Sequence, residues 1–357
     1  MKIGLVLASN IYLSPHMKYY TDILDKLDID YDVICWNRVE NDETFGYSSI
    51  EKFEYTIENK GPLDKIKGYY KYNSFIKEKL KNNSYDYVIV FTLQLAVMLS
   101  SILVNLYRNK YLIDIRDYTS FVKFKRATSK VIKNSRLNVV SSKGYLTWLP
   151  ENKYVISHNC RICDLKLHKK FESNNHAIDL NNIKIATIGN IRDYKANIEV
   201  IDSIKNDRRF KLHYVGKGTC EDQLKEYCNV NNISNIEFKG YYAKKDEINI
   251  YSGYDIINNY TGKDINGLTL MSNRFYNSLI TNKPMIFLEN SFMCNYGMEN
   301  DIGIIMKQNT LKEDVLNFFN SEEARKKYEI GRLKVIEQIY NDIYTFEEEL
   351  TNIFRKE

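Results

Sequence analysis

The sequence predicts an α/β protein with two doubly wound parallel-sheet domains in tandem. Short apolar runs typical of buried strands alternate with segments of helical length along the chain, and this alternation indicates parallel βαβ units. The alternation stops in a polar stretch, roughly residues 164–182, and then restarts. The length of 357 residues also exceeds one ordinary core and suits two domains.

The first half contains strand-like runs separated by amphipathic stretches. Apolar residues at helical spacing predict helices in MKYYTDILDKLDI and GYYKYNSFIKEKLKNN. The strand-like runs are rich in β-branched and aromatic residues, and they read KIGLVLAS, YDVICWN, YDYVIVFT, YLIDIRD, LNVVSS and KYVISHN.

One charge-free stretch, Tyr87–Tyr107, requires a choice between a membrane span and buried structure. A span needs about 20 apolar residues, but polar residues such as Gln94, Ser101 and Asn105 interrupt this stretch. Its β-branched start and its Leu- and Ala-rich continuation favour a buried strand, a turn and a buried helix. The apolar N-terminus is likewise interpreted as a first strand and not as a signal peptide.

The second half repeats the alternation and ends in a charged helical run, residues 321–357. We therefore predict domains at residues 1–163 and 164–335, and a C-terminal helix at 336–357 that packs back on the first domain. Helices are predicted in NIEVIDSIKND, CEDQLKEYCNVNN, DEINIYSG and NRFYNSLIT. The strand-like runs read IKIATIGN, FKLHYVGKG, IEFKGYY, YDIINNYTG, PMIFLE and GIIMK.

Composition limits the classes of partner and cofactor. A net charge of +5 is too small to indicate nucleic-acid binding by itself. Six cysteines in a chain this long do not form a disulfide framework. Cys160 and Cys163 lack a second pair at zinc spacing. We expect free thiols in a reducing cytoplasm, no metal and no other cofactor.

The chemistry of such domains lies in the loops that follow the strands, beside helix N-termini. In IATIGNIRDYKAN a strand ends at Gly189, and Arg192 and Lys195 precede a predicted helix start near Ala196. This arrangement suits a diphosphate, although a solvated turn with ordinary surface cations explains it equally well.

A second candidate anion site lies in TGKDINGLTLMSNRFYNSL. Ser272 and Asn273 are typical first residues of a helix, and the nearby cation of Arg274 suits a pyrophosphate. Asn277, one turn further on, is a candidate ligand for a ribose hydroxyl. Tyr241 follows the strand FKGYY and is a candidate contact for a nucleotide base, although tyrosine in this chain is abundant and mostly expected in packing.

The first half offers candidate residues at two strand ends. Asn10 and His16 lie in the loop after the first strand, and Arg116 and Asp117 end the run YLIDIRD. We take Asn10 and Arg116 as candidates for binding a second substrate, below called the acceptor, and His16 as a candidate ligand or base for it. A plain surface histidine and an ion pair between Arg116 and Asp117 are the simpler alternatives.

A basic segment without any acidic residue runs from Tyr118 to Pro150. Basic and apolar residues interleaved on one helix suit an anionic membrane surface, and a solvated helix face is the equal alternative. The cations predicted on this helix are Lys123, Lys125, Arg126, Lys130, Lys133 and Arg136, interleaved with Phe121, Val122, Phe124, Val131 and Ile132.

Taken together, these motifs resemble the GT-B glycosyltransferases, most of all family 4. The resemblance rests on five pieces in the right order between Ile183 and Lys307: Gly189…Lys195, VGKG, FKGYY, KKDEINIYSGYDIIN and NRFYNSLITNKPMIF. It implies two Rossmann-like domains that face a cleft, a C-terminal helix that crosses back, a nucleoside-diphosphate sugar donor, retention of configuration and no metal. It also implies an acidic residue near Asp117, as catalytic residue or acceptor ligand.

The departures from the family pattern concern the donor site. Asn190 and Ala196 replace a common arginine and glycine, and Thr269 and Asn277 stand where the family often carries two glutamates. An amide oxygen accepts ribose hydroxyls more weakly than a carboxylate. We therefore expect a weaker or altered donor site, ahead of a loss of activity.

The function predicted on this basis is transfer of a sugar from a nucleoside-diphosphate sugar to an acceptor in bacterial surface or capsular polysaccharide synthesis. The acceptor expected is a lipid-linked saccharide, and the location is the cytoplasm, peripheral to the inner face of the cell membrane. The alternative is a non-catalytic, transferase-like subunit that partners an active enzyme. A sugar-nucleotide epimerase shares the fold, but the second half has too few acidic and histidine candidates for it.

Overall fold

The computed structural model describes residues 1–38, 46–47, 49–56, 61–172 and 178–355. The chain forms two compact units: unit 1 comprises Met1–His158 with Asp342–Glu357, and unit 2 comprises Asn159–Asn341. The predicted boundaries lay at residues 163 and 335. Parts of the predicted second domain and of the predicted last helix, residues 173–177 and 356–357, lie outside the described residues.

Unit 1 is built on a parallel sheet. Its strands, over the described residues, are Lys2–Leu7 (β1), Asp30–Asn37 (β2), Ile50–Glu54 (β3), Tyr87–Phe91 (β4), Tyr111–Ile115 (β5), Leu137–Val140 (β6) and Val155–Ile156 (β7). They lie in the order β3-β2-β1-β4-β5-β6-β7, and every neighbouring pair is parallel. The order reverses between β1 and β4, which is where doubly wound sheets open a crevice for ligands.

Strand β3 was not predicted from the sequence. Its sequence IEKFE is short and charged, and its side chains are half-buried or exposed. β3 pairs only with β2 and so forms the edge of the sheet. Charged residues are common on edge strands because they discourage pairing with other chains. In β3 they interrupt the apolar run by which the other strands were predicted.

The helices of unit 1 cover both faces of its sheet. Within the described residues they are Lys18–Lys26 (α1), Pro62–Asn82 (α2), Leu93–Met98 (α3), Ser100–Leu106 (α4) and Lys125–Asn134 (α5), with short 3₁₀ segments at Ile11–Leu13, Pro15–Met17, Ser120–Lys123 and Lys143–Thr147. The charge-free stretch Tyr87–Tyr107 forms β4, α3 and α4, a buried strand followed by helices as predicted. In the described part of the chain, no helix has the length and hydropathy needed to span a membrane.

Unit 2 is built on a second parallel sheet, with all of its strands within predicted runs. The described strands are Ile183–Ile188 (β8), Phe210–Val215 (β9), Ile236–Gly240 (β10), Ile256–Asn258 (β11), Met285–Phe287 (β12) and Gly303–Ile305 (β13). Their order is β10-β9-β8-β11-β12-β13, with the reversal between β8 and β11. The described α-helices are Ile162–Leu165 (α6), Tyr194–Ile204 (α7), Glu221–Val230 (α8), Glu247–Ser252 (α9), Ile265–Thr269 (α10), Asn273–Ile280 (α11), Phe292–Glu299 (α12), Leu311–Asn320 (α13) and Glu322–Phe354 (α14), and 3₁₀ segments occur at Lys166–Phe171 and Lys244–Asp246.

The long helix α14 begins in unit 2 and ends in the core of unit 1. Phe346, Leu350, Ile353 and Phe354 are buried there, at the spacing of one helix face. The ring of Phe346 packs edge-on against Tyr20, with 5.3 Å between the ring centroids. The helix starts at Glu322, next to residue 321 where the predicted charged helical run begins, and its last turns lie in the core of unit 1.

Candidate functional site

The carboxyl edge of the unit 2 sheet, at the reversal between β8 and β11, holds a half-buried cation. Arg274 lies in the first turn of α11, and its Nη1 donates a hydrogen bond of 2.7 Å to the carbonyl oxygen of Asn258 at the end of β11. The helix is capped by Ser272, whose hydroxyl accepts from the backbone N–H of Phe275 at 3.2 Å. The fold therefore directs a guanidinium toward the crevice of unit 2.

Arg274 has no acidic partner. Among the residues that the structure describes, no carboxylate oxygen lies within 4.0 Å of its guanidinium. Burial lowers the pKa of Arg274 below its ordinary value and the charge of Arg192 acts in the same direction, whereas the nearby Asp193 carboxylate opposes the shift. A half-buried guanidinium that forms no direct ion pair is incompletely compensated, so this site suits an anion.

The loop between β8 and α7 brings a second and a third cation to the same edge. The Arg192 side chain is exposed, and its Nε lies 3.7 Å from Asp193 Oδ2. Asn197 donates hydrogen bonds to the carbonyl oxygens of Arg192 at 2.6 Å and of Asp193 at 3.2 Å, which fixes the loop. Lys195 lies exposed in the first turn of α7 and, within the described residues, forms no ion pair.

Close backbone contacts in this region explain two glycines. A Cβ on Gly216 would lie 2.0 Å from the carbonyl oxygen of Gly189, and one on Gly218 would lie 2.0 Å from that of Ile191. Gly216 also has a φ of +133°, which side chains rarely adopt. Gly189 differs, because a Cβ there would approach only Tyr242 Oη, at 3.9 Å. A Cβ on Gly189 would thus meet no close contact, although the φ of +104° there favours glycine, whereas Gly216 and Gly218 pack the loops together.

The structure separates the two tyrosines that follow β10. Tyr241, the predicted base contact, is 78% exposed and partly stacks on Tyr242, with 6.5 Å between the ring centroids. Tyr242 turns inward, and its hydroxyl donates a hydrogen bond of 2.7 Å to Glu247 Oε1. The sequence pattern did not distinguish these neighbours, because both follow the same strand.

A buried carboxylate meets Asn277. Glu247, at the start of α9, is only 9% exposed. The side-chain amide of Asn277 donates to Glu247 Oε2 at 3.1 Å, and Lys244 pairs with the same oxygen. The segment KKDEINIYSGYDIIN, which contains Glu247, is part of the sequence resemblance, but no role was predicted for Glu247 itself. We call Gly189, Arg192, Tyr242, Glu247, Arg274 and Asn277 the switch-point cluster.

Thr269, the other position where a glutamate is common in the resembling family, has a local structural role. Its side chain is buried, and its hydroxyl donates a hydrogen bond of 2.6 Å to the carbonyl oxygen of Ile265 one turn earlier. Asn273, beside Arg274, is exposed at the start of α11. Neither residue adds a charge to the cluster.

In unit 1 the predicted acceptor residue Arg116 is engaged in the interior. Its Nε and Nη2 lie 2.8 and 2.9 Å from the two carboxylate oxygens of Asp114, which is fully buried. It also donates to the hydroxyl and the carbonyl oxygen of Ser157, at 2.8 and 3.0 Å. Tyr20 donates a hydrogen bond of 2.8 Å to the same carboxylate. These bonds give Arg116 a structural role that the sequence pattern did not reveal.

His16 lies close to this ion pair. Its ring packs against Phe91, with 5.5 Å between the centroids. Burial lowers the pKa of His16 to about 4, and the Arg116 charge acts in the same direction. The imidazole is therefore neutral at pH 7 and suited to hydrogen bonding more than to strong base catalysis.

The other two unit 1 candidates differ in exposure. Asn10 is buried, donates to Asn37 Oδ1 at 2.6 Å and accepts from the backbone N–H of Arg38 at 3.0 Å, so it joins the ends of β1 and β2. Asp117, in the loop after β5, is exposed. The carboxylate of Asp117 is therefore accessible to a ligand of unit 1.

The basic segment is not one helix. A 3₁₀ turn at Ser120–Lys123 ends before Phe124, and α5 begins at Lys125. Val131 and Ile132 are buried in the core, which corrects the prediction that they lie among the cations on an exposed face. Phe124 is 60% exposed. The predicted cations are all exposed, and none pairs with a carboxylate in the described part of the chain: Lys123, Lys125, Arg126, Lys130, Lys133 and Arg136.

The cysteines carry no bridge or metal site. All six are free thiols, and only Cys163 is exposed. Burial raises the pKa of the Cys160 thiol well above its usual value, which keeps it unreactive. Over the described ranges, no group of histidine, cysteine, aspartate and glutamate side chains is arranged to hold a metal ion.

Comparison with known proteins identifies the architecture. No protein-family model matches the sequence, and no curated protein matches it. Solved structures match over the whole chain. Sucrose-phosphate synthase from Thermosynechococcus elongatus has a TM-score of 0.73 at 10% identity, with 99% of each chain covered. Anabaena Alr3699/HepE in complex with UDP has a TM-score of 0.66 at 12% identity, again with 99% of each chain covered.

A third match is WaaG, a glycosyltransferase involved in lipopolysaccharide biosynthesis, with a TM-score of 0.61 at 12% identity. It covers 99% of this chain and 100% of WaaG. At such identities the likeness concerns the fold. Together with the two parallel sheets and the returning C-terminal helix, it confirms the predicted fold class. The chain has the GT-B fold.

Proposed function

We propose that the protein is a glycosyltransferase that takes a sugar from a nucleoside-diphosphate sugar bound to unit 2. One observation carries the proposal: Arg274 is half-buried at the carboxyl edge of the sheet, beside Arg192, and forms no ion pair with a carboxylate of the described residues. A diphosphate is the ligand that such a pair of guanidinium groups suits best. The structure of Alr3699/HepE with UDP, which shares the fold, supports the choice of a nucleotide.

The same residues suit the chemistry of transfer. When the bond between the anomeric carbon and the diphosphate oxygen breaks, negative charge develops on the leaving diphosphate. Arg274, Arg192 and Lys195 would stabilise that charge, together with the N-terminus of α11. Fixed cations can thus do what a divalent metal does in other transferases, and metal independence with retention of configuration, as implied by the sequence resemblance, is part of the proposal.

The acceptor is proposed to bind unit 1 and to be a lipid-linked saccharide in surface polysaccharide synthesis. The exposed, unpaired cations around α5, with the exposed ring of Phe124, support attachment of unit 1 to an anionic membrane surface from the cytoplasm. The structural likeness to WaaG, which is involved in lipopolysaccharide biosynthesis, agrees with an acceptor of this class.

A second candidate is a transferase-like subunit without catalytic activity. It is favoured by Thr269 and Asn277, whose polar groups bond inside unit 2, to Ile265 and Glu247 respectively. The two candidates differ in turnover, and a catalytically inactive subunit would also bind the nucleotide weakly or not at all.

The test is a calorimetric titration with UDP, GDP and ADP and their glucose conjugates, for wild type and Arg274→Ala. We expect one nucleotide to bind and Arg274→Ala to lose about tenfold or more in affinity, since hydrogen bonds from charged groups contribute about 1.5–3 kcal/mol. The bound conjugate is then assayed for radiolabel transfer to lipid-linked saccharides, with and without EDTA. Weak or absent binding of every nucleotide would overturn the proposal and favour the inactive subunit, whereas tight binding without transfer would overturn the proposed acceptor.

A further inference from the structure

We propose that Glu247 is the hydroxyl-binding carboxylate of the donor site and accepts hydrogen bonds from hydroxyl groups of the bound nucleotide sugar. This inference rests on the proposed function. It names a specificity-determining residue on α9 and the substrate groups that it recognises.

Glu247 lies where a ligand of the switch-point cluster would meet it. Its Oε1 is 2.7 Å from Tyr242 Oη, and Tyr242 Oη lies 3.9 Å from the position of a Cβ built on Gly189, just beyond the end of β8. The charge of Arg274 acts on both Tyr242 and Tyr251, which flank Glu247. A carboxylate and a guanidinium without a mutual ion pair therefore face one edge of the sheet.

This pair of opposite charges has a chemical meaning. If Arg274 needed only neutralisation, a direct ion pair with Glu247 would supply it, but no carboxylate lies within 4.0 Å of Arg274 in the described residues. Each charge is held by its own hydrogen bonds. Tyr242 and Asn277 donate to the carboxylate of Glu247, and the guanidinium of Arg274 donates to the carbonyl oxygen of Asn258. A ligand with an anionic group beside neutral hydroxyls complements both.

The hydrogen bonds that Glu247 already makes leave room for such a ligand. A carboxylate accepts about four hydrogen bonds. Oε1 accepts one from Tyr242, and Oε2 accepts from Asn277 and Lys244. The Lys244 side chain is 77% exposed, so its ion pair with Glu247 is weakly held and can be exchanged for a ligand hydroxyl.

Asn277 supports this role by donating to the carboxylate. Its amide hydrogen bond fixes Oε2 from the side of α11, which also carries Arg274. A glutamate at position 277 would place a second carboxylate against Glu247, so the asparagine and the buried glutamate form a consistent pair. We infer that the acidic group of this donor site comes from α9, and not from α11.

Two parts of a nucleotide sugar carry suitable hydroxyls, the ribose and the transferred sugar. Both present the same chemistry to a carboxylate. The experiment separates them by calorimetric titration of wild type and Glu247→Gln with UDP, 2′-deoxy-UDP, 3′-deoxy-UDP and UDP-glucose. The corresponding ADP or GDP compounds are used when the nucleotide panel selects that base.

We expect Glu247→Gln to weaken a hydroxyl-bearing ligand about tenfold or more. If the ribose is bound, the loss is large for UDP and falls to less than about threefold for the deoxy analogue that lacks the contacted hydroxyl. If the transferred sugar is bound, UDP is unaffected and UDP-glucose alone loses affinity. Arg274→Ala is the matched comparison, because it should weaken all of these diphosphates by a similar factor.

Two results would overturn the inference while leaving the nucleotide site standing. One is unchanged affinity of Glu247→Gln for every ligand, and the other is an equal loss for all ligands, which marks a structural role. Circular dichroism and urea unfolding establish whether Glu247→Gln is folded. If it is not folded, the titrations are repeated with Glu247→Asp, which withdraws the carboxylate by one methylene. Failure of wild type to bind any nucleotide would overturn the proposed function and this inference with it.

Discussion

The side-chain amide of Asn277 donates a hydrogen bond to the carboxylate of Glu247, with 3.1 Å between Nδ2 and Oε2. The two residues come from α11 and α9 and are separated by 30 positions in the chain. The sequence presents Asn277 as a missing acidic group. In the folded protein it donates to an acidic group that another helix supplies, so an asparagine at this position is compatible with the proposed donor site.

Placing a glutamate at position 277 should therefore destabilise unit 2. Asn277→Glu exchanges a donor for a second carboxylate next to Glu247, and we expect a loss of about 2 kcal/mol or more in the free energy of unfolding at pH 8. The loss should shrink in acid, because protonation of one carboxyl relieves the repulsion. Urea unfolding of the single variant and of Asn277→Glu/Glu247→Gln measures this, and the double variant should recover most of the stability.

The control is Asn273→Glu, at the exposed first residue of the same helix, where a negative charge is favourable. Equal unfolding free energies for Asn273→Glu and Asn277→Glu would show that the Glu247 contact does not decide the outcome.

Substitution of Arg116 should affect stability before it affects acceptor binding. Arg116→Met leaves the fully buried Asp114 without its guanidinium, and breaking a buried pair costs about 3–5 kcal/mol. Arg136→Met, the same change at an exposed and unpaired arginine, should alter the free energy of unfolding by less than about 0.5 kcal/mol. Similar values for both variants in urea unfolding would contradict the structural role of Arg116.

His16 should make unit 1 less stable in weak acid. Its folded pKa of about 4 lies below the ordinary value of 6.5, so between these values the unfolded chain binds the proton more readily. The stability from His16 is complete above pH 6.5 and is lost as the pH falls toward 4. From pH 7 to pH 5, wild type should lose about 2 kcal/mol more unfolding free energy than His16→Gln. Parallel pH dependences of the two proteins would rule this contribution out.

Gly216 should not tolerate a side chain. In Gly216→Ala the added Cβ would lie 2.0 Å from the carbonyl oxygen of Gly189, and the φ of +133° is unfavourable for alanine. We expect a loss of about 3 kcal/mol or failure to accumulate as folded protein. Gly253→Ala is the matched control, since its φ is −75° and the nearest atom to the new Cβ is 3.4 Å away. A thermal unfolding curve of Gly216→Ala that overlays the control would refute the close contact.

The basic segment should bind anionic membranes. Changing Lys123, Lys125, Arg126 and Lys130 to alanine removes four exposed cations, each contributing on the order of 1 kcal/mol near an anionic surface. We expect a loss of about a thousandfold in partitioning to vesicles of phosphatidylglycerol and phosphatidylcholine, measured by sedimentation at low salt. The control replaces Lys225, Lys239, Lys326 and Lys327, which pair with glutamates in unit 2. Equal binding by both variants would remove this surface from the proposal.

Local pattern predicted most of the fold because its signals are short in range. Runs rich in β-branched and aromatic residues predicted β8, β9 and β11, and apolar residues at helical spacing predicted α1 and α11, because each element has its own periodicity. The edge strand β3 was not predicted because its charged residues interrupt the apolar pattern of a buried strand. The basic stretch was predicted as one helix because composition does not show the break at Phe124 between the 3₁₀ turn and α5.

The sequence by itself determined that the chain folds as two parallel α/β units and that Arg192, Arg274 and Asn277 follow strands of the second one. Only the tertiary structure decided which side chains meet. It turned Tyr242 inward and left Tyr241 exposed, engaged Arg116 with Asp114, and placed Glu247 against Asn277. The physical reason is that strand and helix periodicity act within one element, whereas these contacts depend on how separate elements pack across a sheet edge.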